Sequence, residues 1–234
     1  MAEVAASPAE PVFDERPTEL VVRDALALGA LPLALAGLAG LLGFPLLGAA
    51  LLATTVFVAC FFRNPGRQIA GGERSAVAPA DGRVIEVGDL ERADGSKAPR
   101  VGIFLSVFNV HVNRSPVAGR VVSVERAGRR FLAAFDRRAE AENARCTVAL
   151  ETAAGERVEV VQIAGLVARR IVCHPVPGEW VRRGARYGLI RFGSRTDVIL
   201  PAGSELLVQR GERVRGGESV IARLPEPAGA GRPA

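Results

Sequence analysis

Between Ala25 and Phe62 no residue carries a charge, a run of 38 positions. As one straight helix it would reach about 57 Å at ~1.5 Å per residue, well past a hydrocarbon core of roughly 30 Å. Gly40, Gly43 and Pro45 sit mid-run and offer a break, leaving two halves of about the minimum spanning length. The run therefore predicts a helical hairpin over 25–62, in or deeply embedded in a bilayer; a hairpin buried in a soluble core is the alternative. The polar stretch before it, 1–24, holds Pro8, Pro11, Pro17 and a surplus of acids, and reads as a flexible lead-in. A secretory signal does not fit, because the flank is acidic and the apolar run is too long.

A hairpin returns both of its ends to one side. Arg16 and Arg23 precede it, and Arg63, Arg67 and Arg74 follow, a balance that suits the cytoplasmic face of a cell membrane. Arginines there gain on the order of 1 kcal/mol each beside acidic headgroups. The expectation is a membrane-attached protein with a cytosolic body over 63–234.

After Phe62 the texture changes. Arg63-Asn-Pro-Gly66 is a turn, and from Ser75 onward short Val/Ile-rich runs alternate with Gly, Pro and Asp, as in Arg83–Val87, Arg100–Val107, Arg120–Val124, Thr147–Leu150, Val158–Ile163 and Val220–Leu224. That is the pattern of strands between regular turns, so the body is mainly β, with a helical interruption only around Arg130–Asn143. Two internal echoes refine this. Pro79-Ala-Asp-Gly-Arg-Val-Ile-Glu-Val87 resembles Pro116-Val-Ala-Gly-Arg-Val-Val-Ser-Val124, and Gly178-Glu-Trp-Val-Arg-Arg-Gly184 resembles Gly211-Glu-Arg-Val-Arg-Gly-Gly217. They predict duplicated β-hairpin units closing into a barrel or sandwich. Lipoyl- and biotinyl-type barrels share the second pattern, but Lys97, the chain's one lysine, does not sit on a carrier hairpin.

Composition excludes several functions. The formal charge of +5 is carried almost wholly by arginine, and aromatics make up 5% of the chain. Without stacking aromatics among the basic residues, nucleic acid is not the expected partner. Cys60, Cys146 and Cys173 lack metal-ligand spacing, and His111 and His174 are the only histidines, so no metal site is expected and the thiols read as reduced and structural.

The remaining signal lies in Arg186–Pro201, where Gly193-Ser194 separates two apolar pieces, Tyr187–Phe192 and Val198–Leu200. A Gly-Ser pair alone is ordinary turn chemistry. Together with Phe61-Phe-Arg-Asn-Pro-Gly-Arg67, Ala78-Pro-Ala-Asp-Gly82 and Asn109-Val-His-Val-Asn-Arg-Ser-Pro116, however, Ile190-Arg-Phe-Gly-Ser-Arg-Thr-Asp197 completes a set of four segments. In this order, behind a hydrophobic hairpin, they resemble the phosphatidylserine decarboxylases of the short prokaryotic form.

The resemblance implies a pyruvoyl-dependent enzyme that is its own cofactor source. Decarboxylating an α-amino acid requires an electron sink, and Lys97, in the polar turn Asp94-Gly-Ser-Lys97, is a poor anchor for pyridoxal phosphate. Ser194 would instead attack the carbonyl of Gly193, and the chain would break into 1–193 and 194–234 with residue 194 left as a pyruvoyl group. That pyruvate-derived carbonyl would form a Schiff base with the serine amine of phosphatidylserine, releasing CO2 and phosphatidylethanolamine. The partners implied are a phospholipid, the membrane, the two cleavage products paired with each other, and further copies in a homo-oligomer.

By the same resemblance His111 is the base that activates Ser194, oriented by Asp81. Arg114 stands where longer members have a second histidine and cannot serve as a base, which leaves two readings: His111 serves both self-cleavage and decarboxylation, or Arg114 holds the substrate phosphate or carboxylate. Asp197 supports the cleavage loop, and His174 is structural. Two alternatives stay open: a decarboxylase of another serine lipid, of the archaetidylserine type, and a non-enzymatic barrel-type adaptor held by the hairpin.

Overall fold

The structure, a computed structural model, describes residues 23–92, 94–132, 138–166, 170–190 and 193–226. The lead-in, apart from its last two residues, lies outside the described residues, as do Arg16, Arg191 and Phe192. Helices α1 (Arg23–Leu41) and α2 (Pro45–Phe61) form the expected hairpin. It reverses where Gly43 takes a positive φ of 80° and Pro45 opens α2, a position that lacks a hydrogen-bonding partner for its N–H in any helix. The outward faces are apolar: Leu41 and Leu46 are each 87% exposed. No helix among the described residues is long and apolar enough to cross a membrane.

The body is built from strands β1 (Ser75–Val77), β2 (Gly82–Glu91), β3 (Lys97–Leu105), β4 (Val112–Arg114) and β5 (Gly119–Ala127). After the single-turn helix α3 (Ala139–Glu142) come β6 (Arg145–Glu151), β7 (Arg157–Ile163), β8 (Ile171–Cys173), β9 (Trp180–Val181) and β10 (Arg186–Ile190). The chain closes with β11 (Ser194–Ile199), β12 (Glu205–Leu206), β13 (Arg213–Val214) and β14 (Val220–Arg223). Eight strands form one antiparallel sheet in the order β13-β2-β3-β11-β7-β6-β5-β9, flanked by the triplets β1-β14-β12 and β4-β10-β8. Val84, Val101, Ile103, Val148, Val160, Val198 and Leu200 fill the main core.

The sequence echoes are a structural duplication. Gly82 pairs with Val214 and Arg83 with Arg213; at the far end of the sheet Gly119 pairs with Val181 and Arg120 with Trp180. Val84 N donates to Glu212 O and Gly211 N to Val84 O, while Val121 N donates to Glu179 O and Gly178 N to Val121 O. Even the register shifts correspond, falling between Val84 and Glu86 in one copy and between Val121 and Ser123 in the other. The eight-stranded order is thus palindromic in kind, with β11 and β7 meeting at its centre. Several strand ends differ from expectation by a few residues, and one bears on the site: β11 begins at Ser194 itself rather than at Val198, so the Gly-Ser pair enters a central strand directly.

Candidate active site

Strand alternation decides where Ser194 points. Side chains on β11 alternate between faces, and Val198 and Leu200 lie in the core, so Ser194 and Thr196 face inward while Arg195 and Asp197 face outward. Ser194 is fully buried, yet its Oγ has no hydrogen-bond partner among the described residues. A buried hydroxyl without a partner costs about 1–3 kcal/mol, so its persistence here is informative. The residue before it, Gly193, has φ 62°, in the left-handed region that other residues enter at a cost of roughly 1–2 kcal/mol. A Cβ at Gly193 would meet nothing within 4 Å. The glycine is therefore required by backbone conformation, not by space.

His111 precedes β4, and its carbonyl accepts a hydrogen bond from Ile190 N (3.4 Å) at the end of β10. This joins the histidine to the strand that leads into Gly193-Ser194. The ring is buried, Nδ1 donates to Asn109 O at 2.9 Å, and Nε2 has no partner among the described residues. Because a carbonyl only accepts, the proton sits on Nδ1 and the Nε2 lone pair is available. Burial pushes the pKa down to about 4, opposed by the Asn109 carbonyl and assisted by the charge of Arg63. The imidazole is neutral at physiological pH. Phe61, the last residue of α2, stacks on it with ring centroids 3.9 Å apart and planes 30° from parallel, so the hairpin ends against the histidine.

A family model described as phosphatidylserine decarboxylase matches residues 54–222. This chain belongs to the phosphatidylserine decarboxylase family. Relatives named phosphatidylserine decarboxylase proenzyme include one from Symbiobacterium thermophilum, 52% identical over 77% of this chain and 85% of its own. Another, from Geotalea uraniireducens, is 48% identical over 79% and 87%, and one from Geobacter sp. strain M21 is 46% identical over 85% and 91%.

The four segments that carry the family resemblance meet in space. Arg114 extends one guanidinium nitrogen to Gly184 O (3.0 Å) and the other to Asn64 Oδ1 (2.9 Å) and Pro65 O (3.0 Å). Arg67 grips the Asp81 carboxylate at 2.9 and 2.7 Å and reaches Glu218 at 3.2 Å. Asn113 Nδ2 donates to Thr196 Oγ1 (3.4 Å), and Gln162 Nε2 donates to Asn113 Oδ1 (2.8 Å), drawing a buried polar line beneath Ser194.

The Asp81 carboxylate accepts from Arg67 and from Gly216 N at 2.8 Å, while the Nδ1–H of His111 donates to the Asn109 carbonyl. Arg83 of β2 pairs with Phe104, which pairs with Arg195. Asp81 therefore lies two strands from Gly193, about 10 Å at ~4.8 Å per strand. Arg114 fastens the exit of the hairpin to the body through these contacts. Asp197 accepts from Arg195 at 2.6 and 2.7 Å on the face opposite Ser194. His174 is exposed, its N–H donating to Tyr187 O (2.9 Å).

Sequence reasoning missed Asn109 and Phe61 as partners of His111, and Asn113 and Gln162 beneath Ser194. Phe61 and the two asparagines lay inside the family's segments, a signal that could have found them. Gln162, an amide in the apolar run Val158–Ile163, stood out only by being polar.

Proposed function

We propose that this chain is a phosphatidylserine decarboxylase proenzyme that cuts itself between Gly193 and Ser194 and converts phosphatidylserine to phosphatidylethanolamine and CO2. The observation that carries the reading is the coincidence of two buried, unpartnered atoms, Ser194 Oγ and His111 Nε2, with the left-handed Gly193 between β10 and β11. A buried polar atom without a partner calls for an explanation, and use in a reaction is one.

In the self-cleavage, His111 Nε2 takes the proton of Ser194 Oγ as the oxygen attacks the Gly193 carbonyl carbon. The C–N bond breaks, the proton passes to the freed amine, and an ester links residues 193 and 194. Loss of the Ser194 Cα proton, with rupture of the Cβ–O bond, releases Gly193 as a carboxylate and leaves dehydroalanine. Hydrolysis of that group expels ammonia and leaves a pyruvoyl N-terminus on 194–234. Neutral His111 suits the first step, because a buried imidazole of low pKa is unprotonated when the serine must be deprotonated.

The pyruvoyl carbonyl supplies the electron sink for decarboxylation, and residue 194, enclosed by β3 and β7, keeps that group away from bulk water. Asp81 acts as a positioning residue through Arg67 and Gly216, and Asp197 through Arg195. The hairpin embeds the protein in the cell membrane, with the body on the cytoplasmic side. The apolar outward faces of α1 and α2 and the arginines Arg63, Arg67 and Arg74 at their exit support this. At 17 residues α2 covers about 25 Å at ~1.5 Å per residue, which favours embedding over crossing. The two cleavage products stay paired, since β11 lies hydrogen-bonded between β3 and β7; copies assemble further into a homo-oligomer.

The test is release of labelled CO2 from carboxyl-labelled phosphatidylserine in detergent micelles by the purified protein, with archaetidylserine as the competing substrate. Release from phosphatidylserine, abolished by Ser194→Ala, is expected. A cleaved protein that releases CO2 only from the ether lipid would change the substrate, and none from either would favour the adaptor.

A further inference from the structure

Beside the reactive strand lies a cavity of about 490 Å³ that the self-cleavage does not use. Arg126, Arg129 and Arg145 line it, together with Phe131, Ala144, Ala164 and Ile171, and no acidic residue does so among the described residues. Three guanidinium-bearing residues around a hollow otherwise lined by apolar residues, Gly128 and the thiol-bearing Cys146 form an amphiphilic anion site. The cavity also adjoins the chemistry. Ile163 pairs with Arg195, so Ala164, the next residue, runs beside Ser194 at a strand spacing of about 5 Å. Ala164 packs with Ile190, whose N–H bonds His111 O.

The duplication sharpens the point. Arg126 lies at the far end of β5, and continuing the echo between β2 and β5 places Asp89 at the equivalent position of the first copy. The hairpin architecture does not ask for arginine here, because the other copy carries a carboxylate on the same scaffold.

We infer that this cavity is a phosphodiester subsite, holding the phosphate of a glycerophospholipid between Arg126 and Arg129 while its serine headgroup reaches residue 194. The inference rests on the decarboxylase reading for the identity of the lipid. In phosphatidylserine the phosphate and the reacting amine are separated by one ester oxygen and two carbons, a reach that matches a cavity one strand away from the reactive residue. Arg145 is held in part by Ala141 O at 2.6 Å and forms the wall. Product and substrate share the phosphodiester, so the subsite supplies binding common to both and acts on KM more than on kcat.

Two measurements test this separately from the decarboxylase reading. The first uses full-length Ser194→Ala protein, which needs no activity, and titrates it calorimetrically with soluble glycerophosphoserine. Binding is expected, weakened at least tenfold in the added Arg126→Gln/Arg129→Gln pair and not reproduced by inorganic phosphate at the same concentration. Equal affinity for inorganic phosphate would make the cavity a free-phosphate site, and undiminished binding in the pair would overturn the subsite.

The second uses the processed wild type and the same pair with a short-chain phosphatidylserine below its micellar concentration. KM is expected to rise about tenfold, equivalent to about 1.4 kcal/mol, with kcat changed less than threefold and cleavage complete by mass. A variant that loses activity only on anionic vesicles, and not on the monomeric lipid, would reduce the arginines to surface attraction. Glycerophosphoserine binding by a wild type that neither cleaves nor decarboxylates would sustain the cavity while sinking the enzyme.

Discussion

Two kinds of polar region lie within a few strands of each other, and they differ in how their hydrogen-bonding capacity is met. Around Arg67, Asp81, Glu218 and Gly216, and again around Arg195, Asp197, Glu86 and Arg100, charge meets charge on nearly every side. Ser194 Oγ and His111 Nε2, both buried, have no partner among the described residues. The first kind of cluster holds strands in place; the second leaves atoms available to react. Ionisable residue type is a poor guide to chemistry here, because Asp81 and Asp197 are engaged in ion pairs while a buried serine hydroxyl and an imidazole nitrogen are left without partners among the described residues.

The sharpest way to break that contrast is to delete the serine. Ser194→Ala is expected to abolish chain cleavage and decarboxylation while leaving the melting temperature unchanged or raised, because the lost hydroxyl had no partner. A large drop in melting temperature, with cleavage retained, would place Ser194 among the structural groups. Next comes the base. His111→Gln is expected to slow self-cleavage by about 10²–10⁴-fold, the usual range for a general base, read from the decay of full-length chain on a denaturing gel. Cleavage at the wild-type rate would remove His111 from the reaction.

The saturated cluster should respond in the opposite currency. Asp81→Ala leaves Arg67, whose side chain is 7% exposed, without its main partner, and about 3 kcal/mol of stability is expected to go. Arg67→Met/Asp81→Leu should recover part of it in chemical denaturation. If Asp81→Ala halted cleavage with no change in stability, the aspartate would belong with the reactive pair after all.

A smaller effect follows from pH. The pKa of His111 falls from an ordinary 6.5 to about 4 on folding, so between those values the unfolded chain binds the extra proton. The stabilisation tied to the neutral ring is fully present above pH 6.5 and is lost as the pH falls toward 4. The stability difference between wild type and His111→Gln, followed by denaturant melts, should therefore change across that window and be flat above it. The gentlest probe is Phe61→Leu, which removes the stacked ring. It is expected to slow cleavage only several-fold and to move the His111 pKa upward as water gains access, measurable by NMR titration of the imidazole in the Ser194→Ala background.

Much of the fold was legible because it rests on local rules. The uncharged run with its Gly and Pro break gave the hairpin, and the Val/Ile runs gave eight of the strands, with ends misplaced by up to a few residues. The two short echoes anticipated a duplication that extends to matching backbone hydrogen bonds. Ser194 and Gly193 could be singled out from the family's segments, and His111 likewise. The partnerships could not. Whether Asp81 faces His111 or Arg67 depends on strand order in a sheet assembled from distant segments, and nothing in Pro-Ala-Asp-Gly encodes it. Arg114 illustrates the same limit: its contacts with Asn64, Pro65 and Gly184 join positions far apart in sequence. The cavity beside β11 was equally invisible, since Arg126, Arg129 and Arg145 converge only once β5 and β6 pair.

The most direct test of the central claim is the intact mass of the purified wild-type protein, taken under denaturing conditions after incubation with phospholipid. Two species are expected that divide the chain between Gly193 and Ser194, the smaller beginning with a pyruvoyl group in place of serine. A single species at the full-length mass, persisting in the lipid environment, would contradict that claim.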